Sequence, residues 1–121
     1  MEKIQIFFNH PGHRMAKLDY LKVIDILAKT LNMEIFDMKF QDKTGDKFEV
    51  IMSGTDKTMK TLKVSLLEDN LDLTFLKNYL SKREFDKWLA EFEYELEQEF
   101  LHNINVHAGR DASNYIIKVR F

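Results

Sequence analysis

A short polar segment near the N-terminus holds the first side chains that could do chemistry. Residues 9–14 read Asn-His-Pro-Gly-His-Arg, between a predicted strand and a predicted helix. A helix N-terminus carries a partial positive charge and prefers anionic neighbours, yet no carboxylate occurs from residue 9 up to Asp19. The residues that supply cations there instead are His10, His13, Arg14 and Lys17. Together with free helix amides they predict a site for a phosphate, sulfate or carboxylate. The alternative is an ordinary, mildly unfavourable helix start.

The strongest anomaly is a predicted helix over residues 84–100, which carries seven carboxylates and one lysine. Glutamates four residues apart lie on one side of a helix, and each like-charged pair costs about 0.2–0.5 kcal/mol. Three such pairs occur: Glu91 with Glu95, Glu93 with Glu97, and Glu95 with Glu99. We expect the edge formed by Glu91, Glu95 and Glu99, with Tyr94 beside it, to bind a basic protein partner by charge complementarity. The alternative is a solvated helix whose repulsion nearby lysines relieve.

Other chemistry has weak support in the sequence. His10 and His13 form His-x-x-His, and His102 and His107 flank the last predicted hairpin. No cysteine and no His-Glu-x-x-His spacing accompany them, so no metal site is predicted. The chain offers no thiol nucleophile, and none of its serines lies in a G-x-S-x-G context. The sequence therefore predicts a protein that is not an enzyme and that carries no cofactor.

The composition is that of an ordinary globular chain: 121 residues, 45% hydrophobic and 31% charged, with a net charge of −2. This length fits a single domain, residues 1–121, with enough surface to bury one core. The lack of cysteine excludes a disulfide scaffold and fits a reducing compartment, so we expect a cytoplasmic location. The N-terminal residues lack the long apolar region of a signal peptide, and no apolar run is long enough to predict a membrane span.

Hydrophobic periodicity predicts the elements that position these groups. Alternation with period two predicts strands, and apolar arcs on a helical wheel predict helices. The predicted strands cover residues 3–8, 33–40, 48–53, 60–67, 104–107 and 115–121. The predicted helices cover residues 15–31, a short segment at 75–80, and the acidic helix, which begins at a capping box formed by Ser81 and Glu84. In the second strand, Phe36, Met38 and Phe40 are expected on one face.

The order β-α-β-β-β-α-α-β-β predicts an α+β two-layer sandwich. We expect a mostly antiparallel sheet of five to six strands with two main helices on one face. The residues of the acidic helix expected to pack on the sheet are Phe85, Trp88, Leu89, Phe92 and Leu96, with Tyr94 pointing outward. The residues expected on the opposite, open face of the sheet are Gln5, Phe7, Lys39, Ile51, Lys63, Ile116, Lys118 and Arg120. Basic and aromatic groups on an open sheet are typical of single-strand binding. A homodimer contact through this face is the alternative.

The sequence thus predicts a small, non-catalytic protein that binds a macromolecule. The leading hypothesis is an inhibitor of a basic, nucleic-acid-binding protein, which it engages through the acidic helix. The alternative is binding of single-stranded nucleic acid or an anionic ligand through the basic sheet face and the loop from His10 to Lys17. No membrane is expected among its partners.

Overall fold

The computed structural model describes residues 2–10 and 15–121. These residues form seven strands and three helices. The strands are β1 (Ile4–Asn9), β2 (Glu34–Phe40), β3 (Lys47–Ser53), β4 (Met59–Ser65), β5 (Asn70–Asp72), β6 (Asn105–Asp111) and β7 (Asn114–Arg120). The helices are α1 (Lys17–Thr30), α2 (Leu76–Tyr79) and α3 (Lys82–Phe100). In the described part of the chain, none of the helices combines the length and the apolar character needed to cross a membrane.

All seven strands belong to one sheet with the order β2-β3-β4-β5-β1-β7-β6. Neighbouring strands are antiparallel, apart from the parallel pair of β1 and β7. Along the chain, α1 connects β1 to the edge strand β2, and α2 with α3 connect β5 to the opposite edge strand β6. The predicted α+β sandwich is confirmed.

The sheet has seven strands, where the sequence predicted five to six. The additional strand, β5, is only three residues long and lies in a segment, 68–72, whose polar residues break the alternation. β5 pairs with both β4 and β1, and Leu71 is fully buried. The side-chain amide of Asn70 donates to the carbonyl oxygen of Ile6 at 3.2 Å. This short segment therefore closes the sheet between its two halves.

The buried face of α3 matches the predicted register. Phe85, Trp88, Phe92 and Leu96 are at most 9% exposed, whereas Tyr94 is 59% exposed. Leu89 is only half-buried against the same core. The indole N–H of Trp88 donates to the hydroxyl of Thr30 on α1 at 3.0 Å, which joins the two long helices through a buried hydrogen bond.

Local sequence signals set the start of α3 and the turn between β2 and β3. At the start of α3, Ser81 N donates to Glu84 Oε1 at 2.9 Å and Glu84 N donates to Ser81 Oγ at 3.2 Å. The capping box is therefore confirmed, and the hydrogen bond from the Ser81 backbone lowers the pKa of Glu84. In the loop between β2 and β3, Gly45 has a φ of 73°, a conformation that glycine adopts without strain.

Two strands depart from the predicted pattern. The register of β2 against β3 shifts between Ile35 and Asp37, so a β-bulge interrupts the simple alternation of this strand. Phe36 is the extra residue and is 71% exposed. The strand β6 continues to Asp111, four residues beyond the predicted end, and a tight turn at residues 112–113 leads into β7. Polar residues typical of loops hid the second half of this hairpin.

Candidate functional site

The edge of α3 that faces β6 uses its carboxylates to hold the backbone. Glu97 Oε2 accepts a hydrogen bond from the backbone N–H of Ile104 at 3.1 Å. Glu93 Oε2 accepts one from the backbone N–H of Val106, also at 3.1 Å. Both side chains are half-buried. These two glutamates fix the segment that enters β6, a role for which the sequence offers no local signal.

The opposite edge of α3 lies beside lysines of α1. Lys29 Nζ is 3.2 Å from Glu95 Oε2, and Lys22 Nζ is 4.0 Å from Glu99 Oε1. The four side chains line a groove of about 300 Å³ between the helices. Since both lysines come from a separate element, their position could not be read from the spacing of the glutamates. The groove is of mixed charge rather than acidic.

Two of the four predicted partner-binding residues remain free on the surface. Glu91 and Tyr94 are exposed, and neither side chain has a hydrogen bond or ion pair among residues 2–10 and 15–121. Glu95 and Glu99 are the two that pair with lysines. The structure therefore keeps an aromatic ring and one carboxylate available on α3, without the continuous acidic edge that the spacing suggested.

The predicted anion site at the start of α1 lies partly outside the described residues, because His13 and Arg14 belong to the undescribed segment. His10 Nε2 is 3.3 Å from Asp69 Oδ1. Lys17 Nζ lies 5.3 Å from the centre of the Phe40 ring. The two described members of the predicted site are therefore engaged with other groups.

The start of α1 also differs from the prediction. The helix begins at Lys17 rather than at residue 15, so Asp19 falls in its first turn. Asp19 Oδ2 accepts a hydrogen bond from the backbone N–H of Ala16 at 3.0 Å. A carboxylate thus already complements the positive end of this helix. The anion site stays a prediction, but the lack of a carboxylate at the start of the helix no longer supports it.

One half of the open sheet face carries charges of alternating sign. The strand registers place Lys39, Glu49, Lys63 and Asp72 in one row across β2, β3, β4 and β5. Opposite charges on neighbouring strands stabilise a sheet by roughly 0.2–1 kcal/mol per pair. Lys63 therefore has a carboxylate residue on each neighbouring strand, which leaves this half of the face nearly neutral, although no ion pair within 4.0 Å forms along the row in the described residues.

The other half carries a group that we call the basic patch: Phe7, His107, Lys118 and Arg120. The register puts Phe7 of β1 directly beside Lys118 of β7, and Lys118 beside His107 of β6. Arg120 lies two residues further along β7 on the same face. All four side chains are exposed, Phe7 least of them at 36%. In the described residues, no carboxylate pairs with Lys118 or Arg120.

A groove adjoins the basic patch along β6 and β7. It has a volume of about 380 Å³, and its lining includes His107, Gly109, Ile116 and Lys118. A Cβ atom added to Gly109 would meet nothing within 4 Å, so the backbone there borders open space. The groove is also lined by Arg110 and Asp111. The patch and groove together therefore offer one aromatic ring, three permanent cations, one carboxylate and exposed backbone on an uncovered sheet.

The described residues contain no cluster of three or more His, Asp or Glu side chains that could hold a metal ion. Comparison of the chain with protein-family models, with curated proteins and with solved structures gave no match. Function must therefore be inferred from the geometry of the surfaces themselves.

Proposed function

We propose that this protein binds single-stranded nucleic acid through the basic patch. The observation that carries the proposal is the register of β1, β7 and β6, which sets an exposed phenylalanine beside an unpaired lysine. Base stacking on an aromatic ring combined with phosphate contacts to lysine and arginine is how sheet surfaces hold single strands. On the other half of the face, the charge of Lys63 is balanced by Glu49 and Asp72 on the neighbouring strands.

The spacing of the patch suits an extended strand of nucleotides. Lys118 and Arg120 project from the same face of β7, about 6.6 Å apart along the strand. One base would stack on Phe7 while neighbouring phosphates contact the two cations. Stacking of one base contributes about 1–3 kcal/mol by alanine substitution. With one ring and two cations, the binding should be weak and independent of sequence, with a Kd of roughly 10⁻⁴–10⁻⁶ M.

The charge distribution of the fold supports this use of the sheet. The net charge is −2, which alone would repel a phosphate backbone. Most of the excess carboxylates, however, lie on α3, on the side of the sheet opposite the basic patch. The carboxylates of α3 therefore lie away from an anionic strand bound at the patch, and Asp111 is the carboxylate among the described lining residues of the adjoining groove.

The test is fluorescence polarisation with a labelled ten-nucleotide oligo-dT over a range of salt concentrations. For single strands the slope of log K against log salt is about −0.7 per phosphate contact. Lys118→Gln and Arg120→Gln should each weaken binding and reduce the slope by about 0.7. Phe7→Ala should weaken binding about 5- to 150-fold and leave the slope unchanged.

Lys63→Gln is the matched control, because it removes one lysine from the same sheet face at a position flanked by two carboxylates. Its affinity and salt slope should equal those of the wild type. An effect of Lys63→Gln as large as that of Lys118→Gln would mean that binding reflects diffuse charge, and the proposed site would be abandoned. Undetectable binding at millimolar protein and low salt would also overturn the proposal.

The hypothesis of an inhibitor that meets a basic protein through α3 stays a prediction with narrower support. It now depends on Glu91 and Tyr94, since Lys29 and Lys22 pair with Glu95 and Glu99. An exposed tyrosine is a common anchor at protein interfaces.

A further inference from the structure

A third concave surface lies on the helical side of the sheet, where α2 leads into α3 beside the turn between β6 and β7. It forms a cavity of about 470 Å³. Its apolar lining consists of Ile4, Leu76, Leu80, Phe85 and Tyr115. Cavities of about 300–1,000 Å³ with a mainly apolar lining and a few polar groups are typical of small-molecule sites.

The floor of this cavity is built from core residues and is therefore preformed. Ile4, Leu76 and Phe85 are 3%, 1% and 9% exposed. The rings of Phe85 and Tyr115 meet edge to face, with their centres 5.2 Å apart. Side chains packed in this way keep their positions when a ligand arrives, so little ordering accompanies binding.

The rim of the cavity is positively charged. Lys77, Lys82 and Arg110 line it, together with a single carboxylate, Asp86, among the described lining residues. None of these three cations lies within ion-pair distance of a carboxylate in the described part of the chain. Lys77 Nζ donates to the backbone carbonyl of Glu2 at 3.3 Å. The rim thus carries an excess of positive charge in a protein whose net charge is negative.

We propose that this cavity binds an amphipathic anion, a small molecule with an apolar tail and a carboxylate or phosphate head group. The tail would lie on Phe85 and Tyr115, and the head group would meet Lys82 and Arg110. At about 30 Å³ for each water-sized group, the cavity has room for a ligand of roughly ten to fifteen heavy atoms. A ligand of this size with ordinary efficiency binds with a Kd of about 1 mM or tighter.

This site is separate from the basic patch, since it lies on the other side of the sheet. Of its cations only Arg110 also lines the groove beside the patch. Lys82 is therefore the residue that tests the cavity alone. It is the first residue of α3, where a glutamate would favour the helix dipole, so Lys82→Glu is expected to fold.

The experiment is a titration of ¹⁵N-labelled protein followed by amide chemical shifts, with decanoate, decyl phosphate and the neutral decanol as probes. Both anions should shift amides of α2, the start of α3 and Tyr115, and decanol should bind about tenfold more weakly. Lys82→Glu should weaken binding of the anions about tenfold. Lys43→Glu, the same charge change at an exposed loop position, should leave their affinity unchanged. Preference for one anion identifies the head group and supports the site.

A variant that fills the cavity tests the apolar contribution to ligand binding separately from the contribution of the cations. Asn78 is exposed and lines the cavity, and Asn78→Trp should block entry of all three probes while the protein stays folded. Decanol binding as tightly as decanoate would overturn the proposed role of the cations. Equal weakening by Lys82→Glu and Lys43→Glu, or shifts confined to another surface, would overturn the site as a whole.

Discussion

Removal of Glu97 should destabilise the protein, although it relieves repulsion within the most acidic helix of the chain. Glu97 accepts a hydrogen bond from the backbone of Ile104, a residue only 4% exposed. Hydrogen bonds to charged groups contribute about 1.5–3 kcal/mol, and an unpaired buried N–H costs about 1–3 kcal/mol. Relief of the pair with Glu93 returns about 0.2–0.5 kcal/mol, and alanine adds a few tenths through helix propensity, roughly 0.4 kcal/mol. Glu97→Ala should therefore cost about 1–2 kcal/mol.

Two further substitutions separate the hydrogen bond of Glu97 from the charge of the helix. Glu97→Gln keeps a carbonyl acceptor but loses the charge, so it should cost about half as much as Glu97→Ala, because neutral hydrogen bonds contribute about 0.5–1.5 kcal/mol. Glu91→Ala is the matched control on the same helix. Glu91 has no partner in the described residues and repels Glu95 four positions away. Its removal should leave the free energy of unfolding unchanged or raise it by about 0.2–0.5 kcal/mol.

The assay is equilibrium unfolding in urea, followed by the fluorescence of Trp88. This residue is the single tryptophan of the chain and is 3% exposed, so its emission reports loss of the core. With a denaturant slope of about 1.5 kcal/mol per molar urea, the expected loss in Glu97→Ala moves the midpoint down by about 1 M. Equal midpoints for Glu97→Ala and Glu91→Ala would refute the structural role of Glu97. A higher midpoint in Glu97→Ala would show that repulsion dominates the helix.

Three other predictions follow from single contacts. Thr30→Val keeps the shape of the side chain but leaves the indole N–H of Trp88 buried without an acceptor, so it should cost about 1–3 kcal/mol in the same urea assay. The hydrogen bond from Lys60 is the main reason that the pKa of Asp56 is lowered to about 2. Because this folded-state pKa is below the ordinary value of 3.8, the stability that the ionised Asp56 contributes is present above pH 3.8 and is lost as pH falls towards 2. Lys60→Ala should raise the pKa of Asp56 measured by NMR titration. Tyr94→Ala should change the free energy of unfolding by less than about 0.5 kcal/mol. In surface binding kinetics it should speed the dissociation of a basic protein partner, and an unchanged dissociation rate would contradict the interface on α3.

The parts of the fold that the sequence predicted well are those with a long periodic signal. The 19 residues of α3 repeat their apolar face over five turns, so Trp88 and Phe92 fall unambiguously on the buried side. The three-residue strand β5 has no room for a period. In β2, the bulge at Phe36 adds one residue without a signature residue such as glycine, so continued alternation was the natural prediction.

The candidate surfaces also differ in how far a local sequence pattern predicts them. Outward residues such as Phe7 and Lys118 were predicted because alternation alone decides the face of a strand residue. Which charges lie beside them depends on strand order, and the neutral half around Lys63 appears only once Glu49 and Asp72 are known to be its neighbours. The sequence did not reveal the apolar cavity for a related reason, since its lining comes from five elements and the turn at residues 80–81.

The acidic helix shows how a correct observation can have more than one physical cause. From the sequence alone, its run of glutamates is a cost to helix stability, and a binding function is one explanation of that cost. In the folded chain, Glu93 and Glu97 hold the backbone before and within β6, and Glu95 faces a lysine of α1. These contacts offset the repulsion within the helix by interactions of greater size, about 1.5–3 kcal/mol for each charged hydrogen bond against about 0.2–0.5 kcal/mol for each repelling pair. A carboxylate-rich helix therefore needs no partner to persist. In the described part of the chain, the lysines and arginines of the basic patch and of the cavity rim have no carboxylate within ion-pair distance and lie beside an exposed ring or an apolar lining, so a ligand would add contacts at either surface.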